Sequence, residues 1–280
     1  MAMVRLAAID LDGTLLDRAK SISPENRRVI VALVKRGEHI VLASGRMNEA
    51  TSRYARQLGM ANDTPVISYN GALVRTLGGE TWLHRPVAPE PAAWLVDFCH
   101  EQGYHLNYYL NDTLYVEHDG EWAKLYRGRT GSVPNPVTNL AKFRGDRPTK
   151  LILIDTRERT DALVAPMKER FGTSLYITKT DDEYLEFMNP EADKGQALAA
   201  VAARLGVRRA DCISLGDNHN DIPMLQWAGT GIAMENARDD VRSIADVIAP
   251  DCEEDGVAVM LERFFGPVGR EDCRPAVLSG

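Results

Sequence analysis

Residues 6–17 read LAAIDLDGTLLD. Four apolar residues, Leu6-Ala7-Ala8-Ile9, run into two carboxylates, Asp10 and Asp12, with one leucine between them, and Gly13-Thr14 follow at once. A short apolar run without polar alternation reads as a strand buried on both faces. Like charges crowded at its end disfavour ionisation of both, so the arrangement calls for a use. In parallel α/β sheets, ligands bind beyond the carboxyl ends of the strands. Asp10 stands at such an end.

The same grammar surrounds this stretch. Ser23-Pro24 predicts a helix start, with apolar Val29, Ile30, Leu33 and Val34 behind it and Gly37 as a stop. Residues 39–43 (HIVLA) predict a second strand, 48–58 a helix stopped by Gly59, and 65–68 (PVIS) a third strand. The pattern resumes late in the chain. There it gives a helix over 194–205, a strand over 211–215, a short helix from Pro223, a strand over 230–234, a helix capped by Asn236 and a strand over 246–249. Helices between buried strands imply right-handed crossovers and a parallel sheet, an α/β core of Rossmann-like type.

Residues 84–187 read differently. They carry period-two pieces at 106–108 and 113–116, helix patterns at 91–102 and 160–171, and five of the nine tyrosines, between Tyr104 and Tyr126. This predicts an α+β module inserted into the core, with 1–83 and 188–280 forming the core and 84–187 the insert. The tyrosines read as packing residues.

At 280 residues and 44% hydrophobic, the chain can bury a large core, and a formal charge of −7 argues against a nucleic-acid partner. No apolar run reaches the roughly 18 residues of a membrane span. Cys99, Cys212, Cys252 and Cys273 show no metal-ligand spacing and read as free thiols of a cytoplasmic protein. The tail from Gly266, with Pro267, Gly269 and Pro275, reads as loosely ordered.

Polar residues recur at the other strand ends: Ser44 in VLASGR (41–46), Asp217 in SLGDNHND (214–221), and Asp193-Lys194-Gly195 opening a helix. A magnesium ion and a phosphoryl group are the simplest common use, since Mg²⁺ takes a few carboxylates together with phosphate oxygens and water. In DLDGTLL (10–16), ASGR (43–46), YNGA (69–72), DKGQAL (193–198), GDNHNDIPML (216–225) and the late pattern GIAMENA, ADVIA and EEDGVAVML, taken in order, the chain resembles the haloacid dehalogenase superfamily of phosphatases. Within that superfamily it resembles the Cof-type branch with a large inserted cap.

The resemblance implies a magnesium-dependent phosphomonoester hydrolase acting on small phosphorylated metabolites such as sugar phosphates. Asp10 is then the nucleophile that forms an aspartyl phosphate, and Asp12 the general acid and base. An extended segment would project both side chains to one side. Mg²⁺ would take Asp10, the Asp12 backbone carbonyl and Asp217, with Asp221 as a further or supporting ligand. The Ser44 hydroxyl, the Leu11 and Gly45 backbone N–H groups, Lys194 and Asn220 would hold phosphoryl oxygens. Asp221 also reads as a cap before Pro223. Arg46 reads either as a substrate contact or as a partner of a core carboxylate, and His219 as a loop residue. Asn70-Gly71 reads as a turn, in a loop that the resemblance places near the site. A phosphomutase shares the motifs and the cap class. A phosphometabolite-binding protein without catalysis would share the fold, but the full acidic set argues against it, because binding alone does not need both a nucleophile and an acid/base. A dehalogenase is disfavoured, because a departing halide needs no acid at position 12.

Overall fold

The computed structural model describes residues 5–269. Cys273 and the tail beyond 269 lie outside them. The chain divides into two compact units, Met1–Leu83 with Asp193–Gly280, and His84–Ala192.

The chain opens with β1 (Leu6–Asp10), α1 (Pro24–Lys35), β2 (His39–Ala43), α2 (Asn48–Gln57), β3 (Pro65–Ser68), β4 (Leu73–Thr76) and β5 (Thr81–His84). Next come α3 (Pro89–Gln102), β6 (His105–Leu110), β7 (Thr113–Val116), α4 (Glu121–Thr130), β8 (Asn135–Pro136), β9 (Lys150–Ile154), α5 (Arg157–Phe171), β10 (Tyr176–Asp181) and β11 (Tyr184–Met188). It ends with α6 (Lys194–Leu205), β12 (Cys212–Gly216), α7 (Ile222–Trp227), β13 (Thr230–Met234), α8 (Asp239–Ser243), β14 (Val247–Ala249) and α9 (Gly256–Phe265).

The first unit is built on an eight-stranded sheet in the order β14-β13-β12-β1-β2-β3-β4-β5. From β14 to β3 every neighbouring pair is parallel. The wholly parallel sheet read from the sequence ends there: β4 folds back antiparallel on β3. Alternation along β1 serves two layers. Ala7 and Ile9 join Val29, Ile30 and Leu33 of α1 and Val257 and Leu261 of α9. Leu6 and Ala8 face the other way, onto Ala197, Leu198 and Val201 of α6 and Met224 of α7. Burial on both faces is the reason these strands carry no polar alternation.

Local chemistry fixes the helix starts. The Ser23 Oγ accepts from the Asn26 N–H, with Pro24 in the first turn of α1, and the Asp193 carboxylate accepts from the Gln196 N–H at the start of α6. The expected cap at Asn236 is not made. Arg238 occupies the N-cap position of α8, while the Asn236 amide donates to the Gly13 carbonyl and accepts from the Cys252 N–H. Asn236 ties two loops together.

The second unit holds a six-stranded sheet, β10-β11-β9-β6-β7-β8. One face presents Leu106, Tyr108, Leu151, Leu153, Leu185 and Phe187 to α3 and α5. The alternate residues include Tyr109, Lys150 and Glu186, and the Tyr109 hydroxyl donates to that of Tyr126 on α4 at 2.6 Å. The seam falls between Ala192 and Asp193 rather than after 187, because β11 runs through Met188, which pairs with Tyr176. Among the described residues no helix is long and apolar enough to cross a membrane. Cys99, Cys212 and Cys252 are free and buried.

Candidate active site

The carboxyl ends of β1, β2, β3 and β12 and the start of α6 bring the site together. Asp10, the last residue of β1, is only 5% exposed, while Lys194 and Asp221 are fully buried. The Lys194 ammonium donates to Asp10 Oδ1 and to Asp221 Oδ1, each at 2.6 Å. The other Asp221 oxygen accepts from the backbone N–H groups of Asp217 and Asn218, both at 3.0 Å. Asp221 therefore orients Lys194 and folds the loop after β12. It makes no side-chain cap to α7.

Asp217 completes the group. Carboxylate oxygens of Asp10, Asp217 and Asp221 lie within 4.8 Å of one another. The Thr14 hydroxyl donates to Asp217 Oδ1 at 3.0 Å. Gly13, at φ +79°, lies so close that a Cβ there would sit 2.5 Å from Asp217 Oδ2. Glycine is required at that position both by the left-handed backbone and by the approach of the carboxylate.

The charges follow from this packing. Burial, then the neighbouring Asp221 and Asp217, pushes the Asp10 carboxyl well above its usual range, against the pull of Lys194. Burial and Asp221 push Asp217 up to about 6. Lys194 stays charged because Asp10 and Asp221 outweigh its desolvation. Two of the three carboxylates share one ammonium and the third stands beside them, and the all-oxygen donor set is of the kind a hard divalent cation takes.

Asp12 behaves differently. The chain does not stay extended past Asp10: the Leu15 N–H donates to the Asp10 carbonyl and the Leu16 N–H to that of Leu11. The Asp12 carboxylate lies outside the group that Asp10, Asp217 and Asp221 form. It takes a two-pronged contact from Arg46, Nε to Oδ2 at 2.7 Å and Nη2 to Oδ1 at 2.6 Å, and Lys20 Nζ donates to Oδ1 at 2.8 Å. Burial raises its pKa, but Arg46 and Lys20 outweigh that and hold it at about 2. Arg46 is thus the partner of a core carboxylate.

Ser44 is buried at the end of β2, and its Oγ accepts from the Arg46 N–H at 3.2 Å, leaving the hydroxyl hydrogen for another acceptor. Asn220 Nδ2 donates to Asn70 Oδ1 at 2.9 Å. Leu11 is buried between Asp10 and Asp12. His219 pairs with Asp240 at 3.1 Å and belongs to the loop. Sequence reasoning gives Lys20 and Thr14 no role of their own, because their partners come from an irregular turn or from distant parts of the chain. It reads Asn70 as a turn residue in a loop that the resemblance places near the site, without its contact to Asn220.

Comparison with known proteins agrees with this geometry. Residues 7–261 match the family model for haloacid dehalogenase-like hydrolases. The chain is 28% identical to the 5-amino-6-(5-phospho-D-ribitylamino)uracil phosphatase YitU of Bacillus subtilis, over 93% of this chain and 97% of that protein. It is 27% identical to the phosphatase YwpJ of the same organism, over 94% and 100%. The crystal structure of TM0651 from Thermotoga maritima superposes with a TM-score of 0.87 at 35% identity, covering 93% of this chain and 97% of that one. The chain belongs to the haloacid dehalogenase-like hydrolases. It is an enzyme of their phosphatase class.

Proposed function

We propose that this phosphatase is a magnesium-dependent phosphomonoester hydrolase of small phosphorylated metabolites, sugar phosphates among them, working through an aspartyl phosphate on Asp10. The observation that carries this reading is the placement of Asp10: buried at a parallel strand end, on a shared lysine, within a cluster of three carboxylates. A structural role needs no such excess of negative charge.

Asp10, Asp217 and the Asp12 backbone carbonyl would hold the ion, with Asp221 supporting through Lys194 and the loop. Bound there, Mg²⁺ would offset the mutual repulsion of the carboxylates and stabilise negative charge on the phosphoryl oxygens. The chain's own residues do the rest. An Asp10 oxygen bonds to phosphorus while the ester P–O bond breaks. Asp12 gives its proton to the departing oxygen, then takes one from the water that hydrolyses the aspartyl phosphate, releasing inorganic phosphate and free Asp10. Lys194, the Ser44 hydroxyl, Asn220 and the Leu11 and Gly45 N–H groups present donors to the phosphoryl oxygens. The ion pairs described above hold Asp12 as an anion. It must leave Arg46 and Lys20 to carry a proton.

Phosphate release from a panel of phosphorylated metabolites, with Mg²⁺ or with chelator, tests the reading on wild type and Asp10→Asn. Release that needs Mg²⁺ and disappears in the variant supports it. Release that persists in Asp10→Asn overturns the nucleophile assignment. A product that is an isomeric phosphate ester with no free phosphate identifies a mutase.

A further inference from the structure

The turn after β3 has an unusual backbone. Tyr69, Asn70 and Gly71 all have positive φ, at 51°, 55° and 95°. Left-handed glycine is ordinary, but a left-handed tyrosine followed by a left-handed asparagine is not. Such backbone persists only where its surroundings over-determine it. Here those surroundings are three elements of the site. The Tyr69 N–H donates to the Arg46 carbonyl at 2.9 Å and the Asn70 N–H to the Ser44 carbonyl at 3.0 Å. Asn70 Oδ1 accepts from Asn220 Nδ2 at 2.9 Å. A side chain on Gly71 would collide with the carbonyl of Asp193, the residue that caps α6 just before Lys194.

Asn70 Oδ1 also lies 2.8 Å from where a Cβ on Gly45 would stand. Glycine at 45 is what admits the Asn70 amide. One side chain therefore touches two elements that, in the reading above, hold the phosphoryl group. A turn needed only for its shape would be served at φ 55° by glycine; an asparagine adds an acceptor, and that acceptor is used.

We infer that Asn70 is a positioning residue for phosphoryl transfer. Its side-chain carbonyl fixes one N–H of the Asn220 amide, so that the second N–H is presented to a phosphoryl oxygen. Its backbone holds the Ser44–Arg46 loop at the same level. This inference rests on the assignment of Ser44, Gly45 and Asn220 as phosphoryl-holding residues.

The test is the cost of Asn220→Ala measured in three backgrounds, by turnover of the best ester and by calorimetric binding of inorganic phosphate with Mg²⁺. In the wild-type background N220A costs on the order of a hundredfold in kcat/KM, the lower end of what one aligned donor is worth. Asn70→Gly keeps the left-handed backbone but removes the acceptor. It loses nearly as much by itself as N220A does, and N220A then adds less than about twofold, because the two act as one unit. Asn70→Asp keeps both the backbone preference and the acceptor, so the N220A factor survives in it whatever its own activity. Equal N220A factors in the wild-type and N70G backgrounds overturn the inference. If N70G does not fold, N70D decides, and loss of the N220A factor there overturns it. A wild type that releases no phosphate from any ester refutes the underlying reading instead; Asn70 is then judged on phosphate binding alone, where N70G and N220A must weaken the affinity non-additively.

Discussion

Among the described residues each unit buries one lysine, and the two are balanced in opposite ways. In the second unit Lys150, 4% exposed, faces Glu186 at 3.3 Å, one ammonium to one carboxylate, with the Thr180 hydroxyl donating to Glu186 at 2.9 Å. In the first unit Lys194 is shared between Asp10 and Asp221, and Asp217 stands beside them, so three carboxylates meet one ammonium. A balanced buried pair is what a fold can tolerate for its own sake. An unbalanced cluster costs stability unless something else supplies positive charge, and buried sites that break the local rule are where function sits. The contrast separates a structural charge pair from a chemical one without reference to any relative.

The sharpest way to break the contrast is to remove each lysine. Lys194→Met leaves three carboxylates with no ammonium and takes a donor from the phosphoryl centre. Phosphate release is expected to fall at least about 10³-fold. Thermal unfolding without metal should shift down as well, with added Mg²⁺ restoring part of the stability and none of the turnover. Turnover within about tenfold of wild type would sink the role given to Lys194. Lys150→Met strands Glu186 and should cost roughly 3–5 kcal/mol in denaturant unfolding, whereas the double change Lys150→Met/Glu186→Leu should come back close to wild type. If the double variant is as unstable as the single one, Lys150 and Glu186 are not a balanced pair.

Asp12 sharpens the comparison within the core, because its carboxylate has two cationic partners, Arg46 and Lys20, while Asp10 shares its one, Lys194, with Asp221. Asp12→Ala should lower kcat for alkyl phosphates by roughly 10²–10⁴-fold, the usual worth of a positioned acid. Aryl phosphates, whose leaving oxygen needs little help, should lose far less. A leaving-group series run on both proteins reads this directly, and parallel losses across the series exclude the acid role.

Much of the core was legible because its signals are local. Strands buried on both faces have no alternation, and α1 and α6 announce themselves through Ser23-Pro24 and Asp193. The polar residues at the strand ends identify the site because a parallel sheet gathers those ends on one side. What escaped depends on contacts through space. Residues 121–130 form α4 although Gly120 offers no side-chain cap and Gly128, a poor helix former, lies inside the helix. It is held from outside by Tyr126, which pairs with Tyr109. Asn236 looked like a cap because asparagine is a good one, but its amide is used by Gly13 and Cys252. Of the partners of Asp12, Arg46 was legible only as one of two readings and Lys20 not at all. Arg46 lies 34 residues away, and Lys20 belongs to a turn with its own left-handed backbone at φ 61°.

The smallest predicted effect concerns the unbalanced charge itself. Asp217 is held at about 6, above the 3.8 of a free aspartate, chiefly by burial and then by Asp221. A carboxyl raised on folding binds its proton more tightly in the native state. Its contribution is therefore a penalty, complete above pH 6 and relieved as pH falls from 6 toward 4. Asp10, raised for the same reasons, acts in the same direction. Metal-free wild type should then melt higher at pH 5 than at pH 7, and Asp217→Asn, which keeps the acceptor for Thr14, should raise the pH 7 melting point by a few degrees. The scale is about 1–3 kcal/mol for a shift of this size, and the neutral amide of D217N should flatten the pH dependence between 4 and 6 without abolishing it, since Asp10 still titrates. With Mg²⁺ the order reverses for wild type: the ion stabilises most at pH 7, loses its grip as the carboxylates protonate, and gives D217N a much smaller shift. Melting curves at pH 5 and 7, with chelator and with Mg²⁺, decide it. A metal-free wild type more stable at pH 7 than at pH 5, with D217N no more stable than wild type at pH 7, would mean that the three carboxylates are already balanced by the chain itself.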